Sequence, residues 1–383
     1  MKIAFILGTR PEVIKLSPII NECKAQHIEH FVIHSGQHFS HEMDKIFFDQ
    51  LDLDPPEYNL NTSKLLNEGV VEKNTQREIF ENPDGCIHHG KQLGLMLGKI
   101  EEILFKEKPN IVLVQGDTNT TLAGALAAVK LHIDVGHVEA GLRSYDMAMP
   151  EEINRILVDR ISNYLFCPTE LQKNILQSEG IEKHKIFVTG NTIVDVLFHY
   201  ENLIKGNADS VLTCFDLEPK SYFLLTIHRE ENVDESDNLK AIVLAIDKIA
   251  QELELPVIFP IHPRTELKIF DVIDTGELSI QFVKPLGFVE FISLEKNAKL
   301  IITDSGGVQE EACVLKTPCI TLRTTTERPE TLEVNANILS GLNKNEIMNH
   351  IRTMLSRNRE WENPFGTGDA AQKILAALKG KEG

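Results

Sequence analysis

Three acidic side chains follow apolar runs or open a helix-like segment in the first half of the chain. Asp117 comes shortly after the run 111–115, Glu139 directly follows 135–138, and Glu151 opens a segment of helical pattern. Because the carboxyl ends of parallel strands meet at one edge of a sheet, we expect the three acids to converge there. Carboxylates whose pKa values differ can accept and donate a proton in turn. Each acid alone is typical of a loop or a helix cap, but together they predict proton-transfer chemistry.

A pair of glycines in the second half predicts an anion site. Ser305, Gly306 and Gly307 follow the apolar run 300–303 and precede a helical pattern. Glycines leave consecutive backbone N–H groups open, and the helix dipole favours a phosphate at its N-terminus. Glu311, about one turn further on, can accept hydrogen bonds from a ribose diol. The alternative is an ordinary helix capped by its serine, which two successive glycines make less favourable.

Two further segments place cations after strand-like runs. Arg10 and Lys15 belong to the turn and helix that follow the first apolar run, and His228 follows the run 222–227. Arginine and lysine can neutralise an anion at such a turn, and an imidazolium can bind pyrophosphate or assist a leaving group. The alternatives are a strand-to-helix turn with Pro11 at the helix start and a polar cluster that opens another helix.

Charge and cysteine usage limit the partners and the compartment. The chain has 57 acidic and 39 basic residues among 383, a net charge of −18. This field repels nucleic acid and anionic membranes, so neither is an expected partner. Six cysteines without a C-x-x-C pair predict buried thiols in a reducing, cytoplasmic setting. The 14 histidines match no metal-binding spacing, so we expect no metal ion.

Short apolar runs alternate with longer helical patterns, which predicts α/β structure on parallel sheets. The alternation restarts after Gly190, so we predict two doubly wound Rossmann-like domains with a cleft between them. Residues 1–168, joined by a C-terminal helix within 366–383, form the predicted first domain, which carries the carboxylates. Residues 169–365 form the second, anion-binding domain. Residues 61–90 lose clear periodicity and predict a surface loop.

Taken in order, these motifs resemble those of the non-hydrolysing UDP-N-acetylglucosamine 2-epimerases. The matching segments are Gly8-Thr-Arg-Pro-Glu12, Lys15, Gln115-Gly-Asp-Thr118, His137-Val-Glu-Ala-Gly-Leu-Arg143, Pro150-Glu-Glu152, Asn154-Arg155, Gly190-Asn-Thr192, His228-Arg229, Asp304-Ser-Gly-Gly-Val-Gln-Glu-Glu311 and Thr326-Glu-Arg-Pro-Glu330. The resemblance is specific because the set runs through both predicted domains.

The resemblance implies a glycosyltransferase-B fold, a homodimer and no cofactor. It also implies reversible C2 epimerisation of UDP-N-acetylglucosamine to UDP-N-acetylmannosamine, which supplies precursors of cell-surface polysaccharides or glycans. The implied mechanism is anti elimination of UDP across C1 and C2 to give 2-acetamidoglucal, followed by re-addition after the proton returns to the opposite face. Water must be kept out while the intermediate is held.

The resemblance also implies roles for individual residues. The implied catalytic groups are Asp117, Glu139, Glu151 and His228. The implied UDP-binding residues are Arg10, Lys15 and His228 at or near the pyrophosphate, Ser305, Gly306 and Gly307 at the phosphates, Glu311 at the ribose, Arg328 at the sugar or a phosphate, and Phe291 beside uracil.

Two departures from the family and several alternatives stay open at this point. Residues 37–42 lack the basic residue that usually follows Gln-His, and 61–90 is longer than in common bacterial members. These differences leave open whether a second UDP-N-acetylglucosamine activates the protein. The alternatives are a hydrolysing or modified-sugar 2-epimerase, a retaining glycosyltransferase of the same fold and a nucleotide-sugar sensor. The three acids argue against the last two, since neither needs a base at C2.

Overall fold

The computed structural model describes residues 1–37, 41–62, 89–261 and 263–380. The chain folds as two compact units. The first unit is Met1–Val196 together with Gly366–Gly383, and the second is Leu197–Phe365.

The described part of the first unit contains a seven-stranded parallel sheet in the order β3-β2-β1-β4-β5-β6-β7. Its strands are β1 (Lys2–Leu7), β2 (Glu29–His34), β3 (Tyr58–Asn59), β4 (Ile111–Gln115), β5 (Asp134–Val138), β6 (Tyr164–Cys167) and β7 (Ile186–Val188). Residues 3–7 of β1 and 111–114 of β4 are continuously apolar and buried rather than alternating, as is typical of a parallel sheet covered on both faces.

The helices of this unit form two groups. They are α1 (Arg10–Ala25), α2 (His41–Gln50), α3 (His89–Glu107), α4 (Asn119–Lys130), α5 (Pro150–Ile161), α6 (Glu170–Ser178) and α7 (Thr192–His199), which contains the boundary between the units. Helices α3, α4 and α5 pack side by side, while α1 packs with α2. Because crossovers between parallel strands are almost always right-handed, the strand order predicts these two groups on opposite faces of the sheet.

The second unit contains, within its described residues, a six-stranded parallel sheet in the order β10-β9-β8-β11-β12-β13. Its strands are β8 (Phe223–Thr226), β9 (Val257–Pro260), β10 (Ile280–Val283), β11 (Leu300–Thr303), β12 (Cys319–Thr321) and β13 (Asn337–Leu339). Its helices are α8 (Glu201–Cys214), α9 (Glu230–Val233), α10 (Ser236–Leu253), α11 (Pro263–Val272), α12 (Phe288–Asn297), α13 (Gly306–Val314), α14 (Pro329–Glu333) and α15 (Lys344–Ser356).

The strand orders place four candidate residues next to the points at which the order of strands in each sheet reverses. In the first sheet β1 lies beside β4, and in the second β8 lies beside β11. Successive connections leave such a pair in opposite directions, which opens a crevice at the carboxyl ends of the strands. The segments after β1 and β4 carry Arg10 and Asp117, and those after β8 and β11 carry His228 and Ser305. The two doubly wound domains predicted from the sequence are confirmed.

The boundary between the domains differs from the prediction. Residues 169–196 were assigned to the second domain, but the structure places them in the first unit. The reason is that β7 pairs in parallel with β6 and so extends the first sheet by one strand. The last helix, α16 (Ala370–Lys379), packs on α1 of the first unit, and its N-terminal N–H groups donate to the Asp195 carboxylate. Most of the predicted loop 61–90 lies outside the described residues.

None of the helices in the described part of the chain has the length and hydrophobicity needed to cross a lipid bilayer.

Candidate functional site

Glu139 is a buried carboxylate at the carboxyl edge of the first sheet. It follows β5 with φ of 66°, a left-handed backbone conformation that turns the chain sharply after the strand. Lys15 Nζ lies 2.5 Å from Glu139 Oε1, and Asn191 Nδ2 donates to the same oxygen at 2.8 Å. Gln115 Nε2 donates to the other oxygen. Side chains from α1, from β4 and from the loop before α7 therefore hold this carboxylate in one orientation.

Lys15 is a buried cation of the first unit. The sequence predicts it near the pyrophosphate, and in the structure its ammonium lies against Glu139. A buried carboxylate is strongly disfavoured without a compensating cation. In this structure Lys15 provides that compensation, and its predicted contact with phosphate stays a prediction.

Asp117 lies beyond the end of β4 and is held from α5. Its Oδ2 accepts from Arg155 Nε at 2.9 Å and lies 2.7 Å from Nη2 of the same guanidinium. Asn154 Nδ2 donates to the backbone carbonyl of Asp117 at 2.8 Å. The Asp117 side chain remains 28 % exposed, so one side of this oriented carboxylate is open to a ligand.

Glu151 and Glu152 are neighbours in the sequence with opposite environments. Glu152 is buried, accepts from the backbone N–H groups of Ser144 and Tyr145 at 3.0 and 2.9 Å, and pairs with Arg155. Glu151, in the first turn of α5, is half-buried and receives no hydrogen bond from the part of the chain that the structure describes. Of the two, Glu151 is therefore the carboxylate more accessible to a ligand, and Glu152 is structural. The predicted catalytic role of Glu151 stays a prediction.

A buried charged cluster fixes the turns that carry Asp117 and Glu139. His137 places Nδ1 2.7 Å from Asp159 Oδ1 and Nε2 2.8 Å from the carbonyl of Gly116, so both ring nitrogens face oxygen acceptors. Arg143 lies 2.7 Å from the other Asp159 oxygen. Burial raises the pKa of Asp159, but the charges and hydrogen bonds of His137 and Arg143 outweigh it, and the net pKa is lowered.

The turn between β1 and α1 is built around the Glu12 carboxylate. Glu12 accepts from the backbone N–H of Gly8 and Thr9 at 2.8 and 2.7 Å, and from the hydroxyls of Thr118 and Thr121 at 2.6 and 3.0 Å. These bonds join the turn after β1 to the turn after β4. Burial raises the pKa of Glu12 in spite of them. Glu12 is therefore a structural acid within the Gly-Thr-Arg-Pro-Glu motif.

Two residues of the turn between β1 and α1 have surroundings that explain their types. A Cβ on Gly8 would lie 1.8 Å from the Ser35 hydroxyl oxygen, so no larger residue fits there. Arg10 is half-buried, with its guanidinium carbon 5.5 Å from the centre of the Phe47 ring. The guanidinium is thus near the carboxyl edge of β1 and supported by an aromatic face.

In the second unit, His228 and Asp304 form an imidazole–carboxylate pair. Nδ1 of His228 lies 2.8 Å from Asp304 Oδ1, while 53 % of the His228 side chain is exposed. Burial of Asp304 opposes its ionisation, but His228, the Arg229 backbone N–H and Asn232 outweigh burial and lower its pKa to about 2. Asp304 thereby orients the imidazole so that the edge bearing Nε2 faces outward.

The N-terminus of α13 has the form of an anion site. Ser305 is the N-cap residue, but its hydroxyl makes no capping hydrogen bond to the helix. A Cβ on Gly306 would lie 2.6 Å from Glu327 Oε1, whereas one on Gly307 would meet nothing closer than Ser305 Oγ at 4.0 Å. Gly306 is therefore required by packing, and Gly307 leaves open space for a ligand at the backbone.

The remaining predicted ligands occupy different environments. Arg328 is buried and paired with Glu310, so its charge is already compensated. Glu311 is also largely buried and lies next to the fully buried Glu295 of α12. Phe291 is partly buried on α12, where it packs against a buried apolar cluster of the second unit. Their contacts with sugar, ribose and uracil stay predictions.

Several residues that hold the candidate groups were not assigned a role from the sequence. They are Gln115, His137, Arg155, Asp159 and Asn191. Four of them lie within the motifs that carry the family resemblance, and this membership was the sequence feature that could have indicated a role for them. Their roles depend on partners far away in the sequence, which a linear motif does not reveal.

Two Rossmann-like domains with these sites define a protein of the glycosyltransferase-B type. Residues 21–379 match the family model described as UDP-N-acetylglucosamine 2-epimerase. The chain belongs to this family.

Relatives of the whole length support this placement. The UDP-N-acetylglucosamine 2-epimerase of Methanocaldococcus jannaschii is 51 % identical, over 99 % of both chains. That of Methanococcus maripaludis is 49 % identical, over 100 % of this chain and 99 % of the other. A crystal structure of the Methanocaldococcus jannaschii protein in complex with UDP-GlcNAc and UDP matches with a TM-score of 0.88, at 51 % identity over 99 % of both chains.

Proposed function

We propose that this protein interconverts UDP-N-acetylglucosamine and UDP-N-acetylmannosamine by inverting C2 of the sugar, without hydrolysis. The strongest support within the structure is the group Asp117, Glu139 and Glu151 on the carboxyl side of the first sheet, each in a different environment. Carboxylates in different environments can take different protonation states, as removal and return of one proton require. The relatives named above carry the same activity in their names.

The proposed reaction is an elimination followed by an addition. A base removes the C2 proton while the bond between C1 and the UDP oxygen breaks, which gives UDP and 2-acetamidoglucal. A proton is then returned to the opposite face of C2 as UDP adds back to C1. The C2 proton is only weakly acidic, so its removal needs departure of the stabilised diphosphate in the same step. Asp117, Glu139 and Glu151 are the proposed proton-transfer groups.

We assign binding of UDP mainly to the second unit. The open backbone at Gly307 and the Ser305 hydroxyl, which makes no capping hydrogen bond, suit phosphate oxygens at the N-terminus of α13. The outward edge of His228 suits the pyrophosphate, where an N–H donor also favours departure of UDP. Arg10 of the first unit stays a predicted pyrophosphate ligand. The Methanocaldococcus jannaschii relative binds UDP-GlcNAc and UDP in its crystal structure, which supports the choice of ligand.

Proton NMR of the purified protein with UDP-N-acetylglucosamine tests this function. We expect the anomeric signal of UDP-N-acetylmannosamine to grow to a constant ratio with the substrate, with little free UDP. The same ratio should be reached from the mannosamine side. Steady release of UDP with free N-acetylmannosamine would instead assign a hydrolysing enzyme, and an unchanged spectrum would refute catalysis on this substrate.

We also propose a cytoplasmic homodimer. Ile153 and Leu157 lie one turn apart on α5 and are 42 % and 45 % exposed, which suits an apolar contact with a second copy. The described cysteines are unpaired thiols, as is typical of a reducing compartment. Light scattering coupled to gel filtration measures the mass of the unchanged protein and of Ile153→Glu. A mass twice that of the chain, which Ile153→Glu reduces, supports the dimer. A monomeric mass for both proteins would refute it.

A further inference from the structure

His137 is a buried histidine of β5 whose ring contacts the turn that carries Asp117. Nε2 lies 2.8 Å from the carbonyl oxygen of Gly116, the residue before Asp117. Nδ1 lies 2.7 Å from Asp159 Oδ1 on α5, and the His137 side chain is only 1 % exposed. The proposed reaction assigns no role to this imidazole, although the peptide that it contacts leads directly to a proposed proton-transfer group.

Both oxygens that face the ring are hydrogen-bond acceptors. A backbone carbonyl has no proton to donate. Asp159 accepts from the backbone N–H of Gly141 at 3.1 Å and from Arg143 Nη1 at 2.7 Å, and these partners favour its ionised form. A neutral imidazole has one N–H, so either tautomer would turn an unprotonated nitrogen towards an oxygen within 2.8 Å. The imidazolium has two N–H groups and donates to both acceptors.

The charges of the buried cluster agree with this protonation state. Asp159 and Glu179 provide two negative charges, and Arg143, which pairs with both, provides one positive charge. An imidazolium at His137 brings the sum to zero, whereas a neutral ring would leave an uncompensated negative charge in a buried place. Cys167 feels the charge of Asp159, but burial raises the pKa of its thiol, which therefore stays neutral.

The hydrogen bond to Gly116 restricts the turn after β4 at its start. Gly116 has a φ of 74°, a region in which glycine is free to adopt many conformations. Asn154 and Arg155 of α5 hold the carbonyl and the carboxylate of Asp117. His137 holds the preceding peptide from the neighbouring strand, so the orientation of Asp117 depends on contacts from both sides.

We propose that His137 is a positioning residue, which as an imidazolium donates one N–H to Asp159 and the other to the Gly116 carbonyl and thereby orients Asp117 for proton transfer. This inference rests on the proposed function, because that function makes Asp117 a proton-transfer group. The buried ring has no proposed contact with the substrate. Its removal should therefore lower kcat and leave KM and the affinity for UDP close to those of the unchanged protein.

Two neutral variants separate the two hydrogen bonds of the ring. The amide nitrogen of His137→Gln extends about as far as Nε2 and keeps a donor for the Gly116 carbonyl. The amide nitrogen of His137→Asn extends about as far as Nδ1, so it keeps a donor for Asp159 and loses the contact with Gly116. We expect kcat to fall on the order of 10²-fold in His137→Asn and by less than about tenfold in His137→Gln, because a small misplacement of a reacting group is costly.

Stability should follow the opposite order, which separates positioning from general damage. His137→Asn keeps a donor for the buried Asp159, so it should unfold at a higher temperature than His137→Gln. Steady-state kinetics, calorimetry with UDP and thermal unfolding compare the two variants. His132→Asn, the same change at an exposed histidine before β5, is the control. The inference is overturned if folded His137→Asn has a kcat equal to or above that of His137→Gln.

Neutron diffraction measures the protonation state directly and needs no variant. Crystals of the unchanged protein are exchanged into heavy water near neutral pH. We expect deuterons on both Nδ1 and Nε2 of His137. A deuteron on only one of these nitrogens would overturn the inference, even if neither variant folds.

The same experiments distinguish the inference from the function on which it rests. If the unchanged protein shows no epimerisation by NMR, the proposed function fails, while the neutron result still decides whether His137 is an imidazolium. If the unchanged protein epimerises but the two variants show the reverse order of kcat, the function stands and the inference fails.

Discussion

Lys15 Nζ lies 2.5 Å from Glu139 Oε1, although the two residues are 124 positions apart in the sequence and both are buried. The Glu139 carboxylate is buried inside the first unit, and the Lys15 ammonium compensates its charge there. Removing one member of the pair leaves the other charge buried without this compensation. The pair therefore connects the stability of the first unit to the availability of a proposed proton-transfer group.

Lys15→Met should lower the free energy of unfolding by about 3–5 kcal/mol, because it leaves the Glu139 carboxylate buried without its cation. The double variant Lys15→Met with Glu139→Gln should recover a substantial part of that loss, since no uncompensated charge remains. Urea unfolding followed by circular dichroism measures both. A double variant no more stable than Lys15→Met alone would contradict this description of the pair.

Glu151→Gln should reduce epimerisation on the order of 10²–10⁴-fold while UDP affinity and stability change little, because the residue is a proposed proton-transfer group with no structural hydrogen bond from the described residues. Glu152→Gln, one position along, should instead lower stability, since Glu152 holds the 144–145 backbone and pairs with Arg155. Steady-state rates, calorimetry with UDP and urea unfolding compare the two. Equal losses of activity at unchanged stability in both variants would refute this division.

Asp304→Asn should destabilise the protein near neutral pH and much less in acid. The pKa of Asp304 is lowered from 3.8 to about 2 on folding. Its ionised form therefore stabilises the fold above pH 3.8, and that contribution is lost as pH falls towards 2. The linkage corresponds to about 2 kcal/mol. The free energies of unfolding of the unchanged protein and of Asp304→Asn, measured across this pH range, test the prediction. A difference between the two that does not shrink in acid would contradict it.

The epimerisation rate should survive dialysis against EDTA. Among the described residues, no group of three or more His, Cys, Asp or Glu side chains is arranged to hold a metal ion. The proposed proton transfers use carboxylates alone. Rates before and after dialysis test this, with added Mg²⁺, Mn²⁺ or Zn²⁺ as the control. A full loss that one of these ions restores would mean that the reaction needs a metal.

The central strands could be predicted from the sequence because their signal is local. The run Ile111–Gln115 is apolar up to its last residue and bounded by helix-like segments, and the observed β4 has the same limits. The short strand Ile186–Val188 gave no comparable signal, since three residues show no periodicity. Its pairing with β6 is a tertiary event, and missing it displaced the predicted domain boundary.

The candidate site was predictable in its residue types but not in its contacts. Asp117, Glu139 and Glu151 follow from their places after strands and at a helix start. The Lys15–Glu139 pair could not be inferred, because it joins elements that meet only in the folded chain. Nor does a motif show that Arg328 is paired with Glu310.

Proton exchange at C2 tests the proposed chemistry most directly. The unchanged protein is incubated with UDP-N-acetylglucosamine in heavy water, and the recovered UDP-sugars are analysed by NMR and mass spectrometry. We predict one solvent deuteron at C2 of the UDP-N-acetylmannosamine formed, with exchange abolished by Glu151→Gln. Formation of UDP-N-acetylmannosamine that retains the original C2 proton, with none taken from solvent, would contradict proton transfer by these carboxylates.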